Sequence, residues 1–131
     1  MNYVPPFDLI RRMVEVHSVR GELRVSLSYE DFIAILRMLI AGVEVDEAWY
    51  LRENGDIARA VSEGTVQSAR QHFLDDGYFE GRAPFAMAVD EQWYLAQNPD
   101  VAQSVRSGVV ASGQQHFSED GYREGRLPYA V

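Results

Sequence analysis

The sequence predicts a mostly α-helical fold in which two copies of one helical unit pack on an N-terminal segment. Residues 45–87 recur as residues 89–131 at a constant offset of 44, and 24 of the 43 aligned positions are identical. A fixed period in this range is typical of stacked helical units. Upstream of the repeat, the sequence has the cap residues and apolar spacing of one long helix. We therefore divide the chain into an N-terminal segment (1–44), a first copy (45–88) and a second copy (89–131), which we expect to form one compact domain.

The beginning of the N-terminal segment allows two interpretations. Residues 1–6 are expected to be an extended lead-in, because their two prolines exclude a helix. The apolar spacing favours a helix from about Phe7 to Val16, then a turn at Gly21 and a short extended piece at Leu23–Leu27. A β-hairpin that turns at Gly21 also fits, because apolar residues alternate on both sides of this turn.

The clearest helix of the N-terminal segment runs from about residue 29 to residue 41. Ser28 is a good N-cap, and Gly42 suits the left-handed residue that often ends a helix. Apolar side chains cover more of this helix than one buried face needs, so we expect part of it to contact a partner or a second copy of the chain. The residues expected on this interaction surface are Ile33, Leu36, Met38 and Ile40.

Each copy is expected to fold into three short helices. An aspartate caps the first helix, which carries a Trp-Tyr pair inward. The second helix begins at Asn98-Pro99 in the second copy, with Asn as its cap and Pro at its first position. A Ser-x-x-Gln capping box begins the third helix, one glycine ends it, and a second glycine suits a tight turn with positive φ. The residues given structural roles in this way, together with one histidine per copy, are Asp46, Asp90, Ser68, Ser112, His72, His116, Gly77, Gly121, Gly81 and Gly125.

The second copy contains the block Tyr-Leu-x-x-Asn-Pro-Asp-Val-Ala at Tyr94–Ala102, followed by a His-Phe pair and Gly-x-x-Glu-Gly-Arg. This pattern resembles a short repeat of bacterial proteins that occurs beside or within glycosyltransferases, sulfotransferases and other cell-surface polysaccharide proteins. The first copy departs from the pattern, with Gly55 where the second copy has Pro99. The resemblance covers both copies, about two-thirds of the chain. It implies an accessory or interaction module and carries over no catalytic residue.

Composition opposes several classes of function. A net charge of −8 disfavours binding to nucleic acid or to an anionic membrane. The chain has no cysteine and no lysine, which excludes thiolate chemistry and a Schiff base. It has no glycine-rich phosphate loop and no Gly-x-Ser-x-Gly elbow, so we expect neither enzymatic activity nor a cofactor. With no signal-peptide pattern and no apolar run long enough to span a bilayer, the expected location is the cytoplasm.

Four side chains of the copies are candidates for a ligand platform. Trp49 and Trp93 have flat amphipathic rings that suit a sugar, and Arg82 and Arg126 have guanidinium groups that suit a carboxylate or phosphate. A structural role is the favoured alternative for each. The tryptophans fit the core, and each arginine fits an ion pair with an acidic residue of its own copy. The acidic residues considered for the first copy are Asp46, Asp56 and Asp76.

Each histidine is followed four residues later by an aspartate, as in His72 and Asp76. Two such ligands per copy are too few for a metal site, so we expect no metal. The repetition itself favours a structural role, because a residue that the fold needs is needed in both copies.

The sequence therefore predicts a non-catalytic protein-interaction or scaffolding module that binds an unidentified protein partner and forms a homo-oligomer, with a dimer as the commonest form. The alternative is a carbohydrate-binding accessory module of bacterial polysaccharide assembly, which would bind sugars through the repeated aromatic and arginine residues.

Overall fold

The computed structural model describes residues 3–131, and Met1 and Asn2 of the expected lead-in lie outside the described residues. The described chain is 51% helical and contains one two-stranded hairpin. The prediction of a mostly helical fold is therefore confirmed.

The N-terminal segment begins with a short helix and a hairpin. Helix α1 spans Phe7–Arg12, strand β1 spans Glu15–Val19 and strand β2 spans Glu22–Ser26. The strands pair in antiparallel register, and the turn between them has positive φ at both Arg20 (53°) and Gly21 (79°). Two positive φ values are what a tight hairpin turn requires, because they match the twist of the strands. The favoured helix to Val16 is therefore wrong beyond Arg12, and the hairpin interpretation is correct.

The long helix α2 spans Tyr29–Ile40, close to the predicted bounds. The Ser28 side chain caps it by accepting a hydrogen bond from the Asp31 amide at 3.0 Å. Gly42 does not have the left-handed conformation expected of it, since its φ is not positive. Gly42 is required by a close approach instead, because a Cβ there would clash with the carbonyl oxygen of Tyr3.

Each copy contains three short helices, as predicted. In the first copy, α3 spans Glu47–Glu53, α4 spans Gly55–Ser62 and α5 spans Ala69–His72. In the second copy, α6 spans Glu91–Gln97, α7 spans Pro99–Arg106 and α8 spans Gly113–His116. The third helix of each copy widens into one π-helical turn, at Phe73–Gly77 and Phe117–Gly121. Each copy has its own small core around a fully buried tyrosine, Tyr50 or Tyr94.

Four predicted N-caps are confirmed. Asp46 and Asp90 accept from the amides of the two tryptophans, and Ser68 and Ser112 accept from the amides of Gln71 and Gln115. The glutamine side chains do not complete the expected capping boxes. Their amide groups donate to the carboxylates of Asp75 and Glu119, one turn further along the helix.

Asn98 does not cap α7 with its side chain, contrary to the prediction. Its amide group donates to the Tyr94 carbonyl oxygen at 2.8 Å, and its carbonyl oxygen accepts from Arg126 at 2.8 Å. Asn54 makes the same two bonds, to Tyr50 and Arg82. This asparagine therefore links the end of the first helix of each copy to the arginine near the end of that copy.

Candidate interaction surface and the cleft between the copies

A tyrosine, a histidine and a glycine meet in the core of each copy. The Tyr50 hydroxyl lies 2.8 Å from Nδ1 of His72, and a Cβ at Gly77 would clash with the same hydroxyl. Tyr94, His116 and Gly121 repeat this arrangement, also with 2.8 Å between hydroxyl and Nδ1. The π-helical turn brings the glycine backbone against the phenol, which explains why a glycine stands at this position in both copies.

Burial keeps the two tyrosines protonated. It raises the pKa of Tyr50 to about 12, and it also raises the pKa of Tyr94. A neutral phenol at this distance donates to Nδ1 when the histidine carries its proton on Nε2. The Nε2 atom of His72 lies 3.9 Å from a carboxylate oxygen of Glu80. The arrangement is a satisfied core hydrogen bond, in agreement with the structural role predicted for both histidines.

Each repeated arginine is bound by three acceptors of its own copy. Arg82 forks onto the Asp56 carboxylate at 2.9 and 3.1 Å, and it also donates to Glu80 and Asn54 at 2.7 Å each. Of the three aspartates considered, Asp56 is the one that pairs with it. Arg126 makes the equivalent bonds to Asp100, Glu124 and Asn98.

These ion pairs shift the pKa of their members. The hydrogen bond from Arg126 lowers the pKa of Asp100 to about 2, and the bond from Arg82 lowers the pKa of Asp56. Because four of the five N–H donors of Arg82 and of Arg126 are already used within the chain, a ligand that binds either guanidinium through two hydrogen bonds would have to displace an acceptor of the same copy. The favoured structural role of both arginines agrees with this geometry.

A cleft of about 400 Å³ separates the two copies. Trp49, Glu53 and Arg82 line it from the first copy, and Tyr122 and Arg123 line it from the second. Phe85, near the end of the first copy, forms another part of the wall. Trp93 and Arg126 are not among the lining residues, so the structure brings together only the first-copy half of the predicted ligand platform.

The predicted interaction surface on α2 is only partly open. Ile33, Leu36 and Met38 are half-buried, whereas Ile40 is 7% exposed and belongs to the core. Ile40 is therefore not available to a partner, contrary to the prediction. The exposed apolar side chains of α2 are Tyr29, Phe32 and Leu39.

An uncovered apolar face lies on the hairpin. The strand register places Val16 opposite Val25 and Ser18 opposite Leu23, so these four residues share one face. Leu23 is 75% exposed and Val25 is 56% exposed. None of the residues of α1, β1 and β2 is buried. An antiparallel hairpin normally packs its apolar face on a core, whereas here both β2 residues of this face remain more than half exposed.

We define the N-terminal surface as seven exposed apolar residues, of which two precede β1, two lie on this hairpin face and three lie on α2. Its members are Val4, Phe7, Leu23, Val25, Tyr29, Phe32 and Leu39. The alternation of apolar residues in β2 was a usable signal for this surface, but it depends on the hairpin, which was the less favoured interpretation. No sequence signal indicated that Arg123 would line the same cleft as Trp49, because these residues belong to different copies.

Comparison of the chain with protein families, with curated proteins and with solved structures finds no match. Within residues 3–131, no helix is long and apolar enough to cross a membrane. No cluster of three or more potential metal ligands occurs in the same part of the chain.

Proposed function

We propose that this protein is a non-catalytic, cytoplasmic scaffolding module made of two tandem copies of one helical unit, and that it self-associates through the N-terminal surface. The single observation that supports self-association most directly is the uncovered apolar face of the hairpin. The partner in this proposal is a second copy of the chain, which would form a two-fold symmetric dimer.

The energetics of the hairpin support this proposal. An isolated two-stranded hairpin is marginally stable in water unless its apolar face packs against something. Burial of a leucine or valine side chain contributes about 1.5–3 kcal/mol. Leu23 and Val25 contribute little of this within one chain, because more than half of each side chain remains exposed. Contact between two hairpins would bury both residues in both chains.

The distribution of charge favours the N-terminal surface over the copies as the site of self-association. Residues 45–131 contain 14 acidic residues and 7 arginines, so contact between the copies of two chains would bring like charges together. Residues 7–27 contain three acidic residues and four arginines, so they are close to neutral. Two chains that meet through their hairpins keep their acidic copies apart.

The test is sedimentation velocity of the intact protein and of the double variant Leu23→Ser, Val25→Ser. We expect the protein to form dimers and the double variant to sediment as a monomer, because serine removes the apolar area from both sides of the interface. The helical signal in circular dichroism is expected to stay unchanged, since the substituted strand lies outside both cores.

Val109→Ser is the matched control. Val109 is 75% exposed, like Leu23, but it lies in the second copy. This variant is expected to dimerise like the unmodified protein. The proposal fails if the unmodified protein is monomeric at about 0.1 mM, where an interface of about 5.5 kcal/mol is half occupied. It also fails if the control and the double variant dissociate equally.

A further inference from the structure

The cleft between the copies has several polar side chains on its walls. Two of them, Arg82 and Asn54, bond to each other, and Arg82 also bonds to Asp56. The Trp49 indole N–H, the Tyr122 hydroxyl and the Arg123 guanidinium also line the cleft and form no hydrogen bond with another described residue. They are open to solvent, because Arg123 is exposed and no buried side-chain donor of the described residues lacks a partner. These are three donors without a partner on the walls of one concave site.

Arg123 is the charged group of this site. It occurs only in the second copy, because the equivalent residue of the first copy is Phe79. Its side chain extends along the backbone of Gly81, where a Cβ would lie 3.6 Å from the Arg123 Cγ. The contact holds the arginine stem against the first copy, while the guanidinium forms no ion pair with any acidic residue in the described chain. A free guanidinium on a cleft wall suits a carboxylate, which it can bind through two parallel hydrogen bonds.

Two other residues on the cleft walls, Trp49 and Glu53, each set a requirement for the ligand. The half-buried Trp49 ring offers an amphipathic surface on which a ring with an apolar face can stack. The Glu53 carboxylate also lines the cleft and accepts hydrogen bonds from hydroxyl groups. An inorganic anion would use only the arginine, and a flat hydrocarbon would use only the tryptophan. A ring that carries both a carboxylate and hydroxyl groups would use all three residues.

We propose that this cleft binds an acidic sugar, with the uronic acid carboxylate on Arg123, a sugar face on Trp49 and hydroxyl groups at Glu53. The site is independent of self-association, because none of these residues belongs to the N-terminal surface. It also differs from the predicted ligand platform, since Arg82 serves the fold and Arg123 takes the role of the ligand-binding cation.

The experiment is titration of the intact protein with a tetrasaccharide of glucuronic acid, followed by the two indole N–H signals in nuclear magnetic resonance. The variant Trp93→Phe assigns these signals. We expect the Trp49 signal to shift with ligand and the Trp93 signal to stay in place, because Trp93 lies outside the cleft. The carboxyl-reduced, neutral tetrasaccharide is the matched ligand, and it is expected to bind about tenfold more weakly or not at all.

The matched variants are Arg123→Gln and Arg59→Gln. Arg123→Gln keeps the Cγ that packs on Gly81 and removes the charge, so we expect affinity for the acidic tetrasaccharide to fall about tenfold. Arg59 is an exposed arginine of α4 outside the cleft, and its variant is expected to bind normally. The proposal is overturned if the Trp49 signal does not move, if the neutral tetrasaccharide binds equally well, or if the two arginine variants behave alike.

Discussion

The first and second copies form the same internal bonds with side chains that are identical between them. Tyr50 and Tyr94 each contact a histidine at 2.8 Å, and Arg82 and Arg126 each fork onto an aspartate. The backbone follows the same course, since Gly81 and its counterpart in the second copy have φ of 82° and 78°. The residues that the copies share are therefore those that each copy needs for its own folding.

The copies differ where they meet different neighbours. Arg70 of the first copy donates to the carbonyl oxygens of Ala41 and Val43, at the end of α2. Gln114, at the equivalent position of the second copy, donates to the Met87 carbonyl oxygen and accepts from the Val89 amide. The shorter glutamine side chain bonds to residues just before the first helix of its own copy. The arginine also bonds to Ala41, the C-cap residue of α2.

A second difference concerns the residue after the π-helical turn and its tyrosine. Phe79 of the first copy lies under the Arg37 guanidinium of α2, 5.3 Å from ring centre to guanidinium carbon. In the second copy this position is Arg123, which faces the cleft. At these two positions the residue differs between the copies where the copies have different neighbours, whereas the identical tyrosines, histidines and arginines bond within each copy.

The largest expected effect tests the shared internal structure. Gly77→Ala and Gly121→Ala each place a Cβ against a buried tyrosine hydroxyl, and we expect each to lower the free energy of unfolding by about 2–3 kcal/mol. Urea unfolding followed by circular dichroism measures this change. Gly55→Ala is the control, because a Cβ there meets nothing within 4 Å and its φ is not positive. A neutral Gly77→Ala variant would show that the π-helical turn does not pack as described.

A smaller loss of stability is expected when the tyrosine hydroxyls are removed. Tyr50→Phe and Tyr94→Phe each remove the partner of a histidine, at a cost of about 1–2 kcal/mol in the free energy of unfolding. The first variant should cost more, since His72 is buried and His116 is only half-buried, so that water can replace the lost hydroxyl more readily in the second copy. Thermal and urea unfolding measure both changes. The reverse order would contradict the burial difference between the copies.

The smallest effect tests the difference in neighbours. Arg70→Gln gives the first copy the residue of the second, and we expect it to lose the bond to Ala41 at a cost of about 1 kcal/mol. Hydrogen exchange of the α2 amides should become faster, because the helix loses a connection to the first copy. Arg59→Gln serves as the control and is expected to leave α2 exchange unchanged. Equal exchange in both variants would mean that Arg70 does not hold α2 in place.

Much of the helical structure was predictable, because its signals are local. Ser28 lies three residues before the amide that it caps, and the same holds for Asp46 and Ser68. The N-terminal hairpin was not the favoured prediction. Its residues fit both the periodicity of a helix and that of a strand. In addition, a positive φ, as at Arg20 in the turn, is uncommon for a residue other than glycine.

The candidate site was less predictable than the fold. Trp49 and Arg82 were expected as possible ligand residues. The structure shows that both line the cleft, that Arg82 is ion-paired with Asp56, and that Arg123, which was not expected there, lines the cleft as well. Ile40 was expected on the interaction surface and is buried. Both differences depend on which elements face each other across long stretches of chain, which no local pattern encodes.

The sequence by itself determined that residues 45–87 recur at an offset of 44, where most helices begin, and that Gly81 and Gly125 stand in tight turns with positive φ, because caps, turns and sequence recurrence are local or directly countable. Only the tertiary structure decided that Tyr50 bonds to His72, that the apolar face of the hairpin is uncovered, and that a cleft opens between the copies. The physical reason is that these features depend on distances between residues far apart in the chain, and those distances are set by packing.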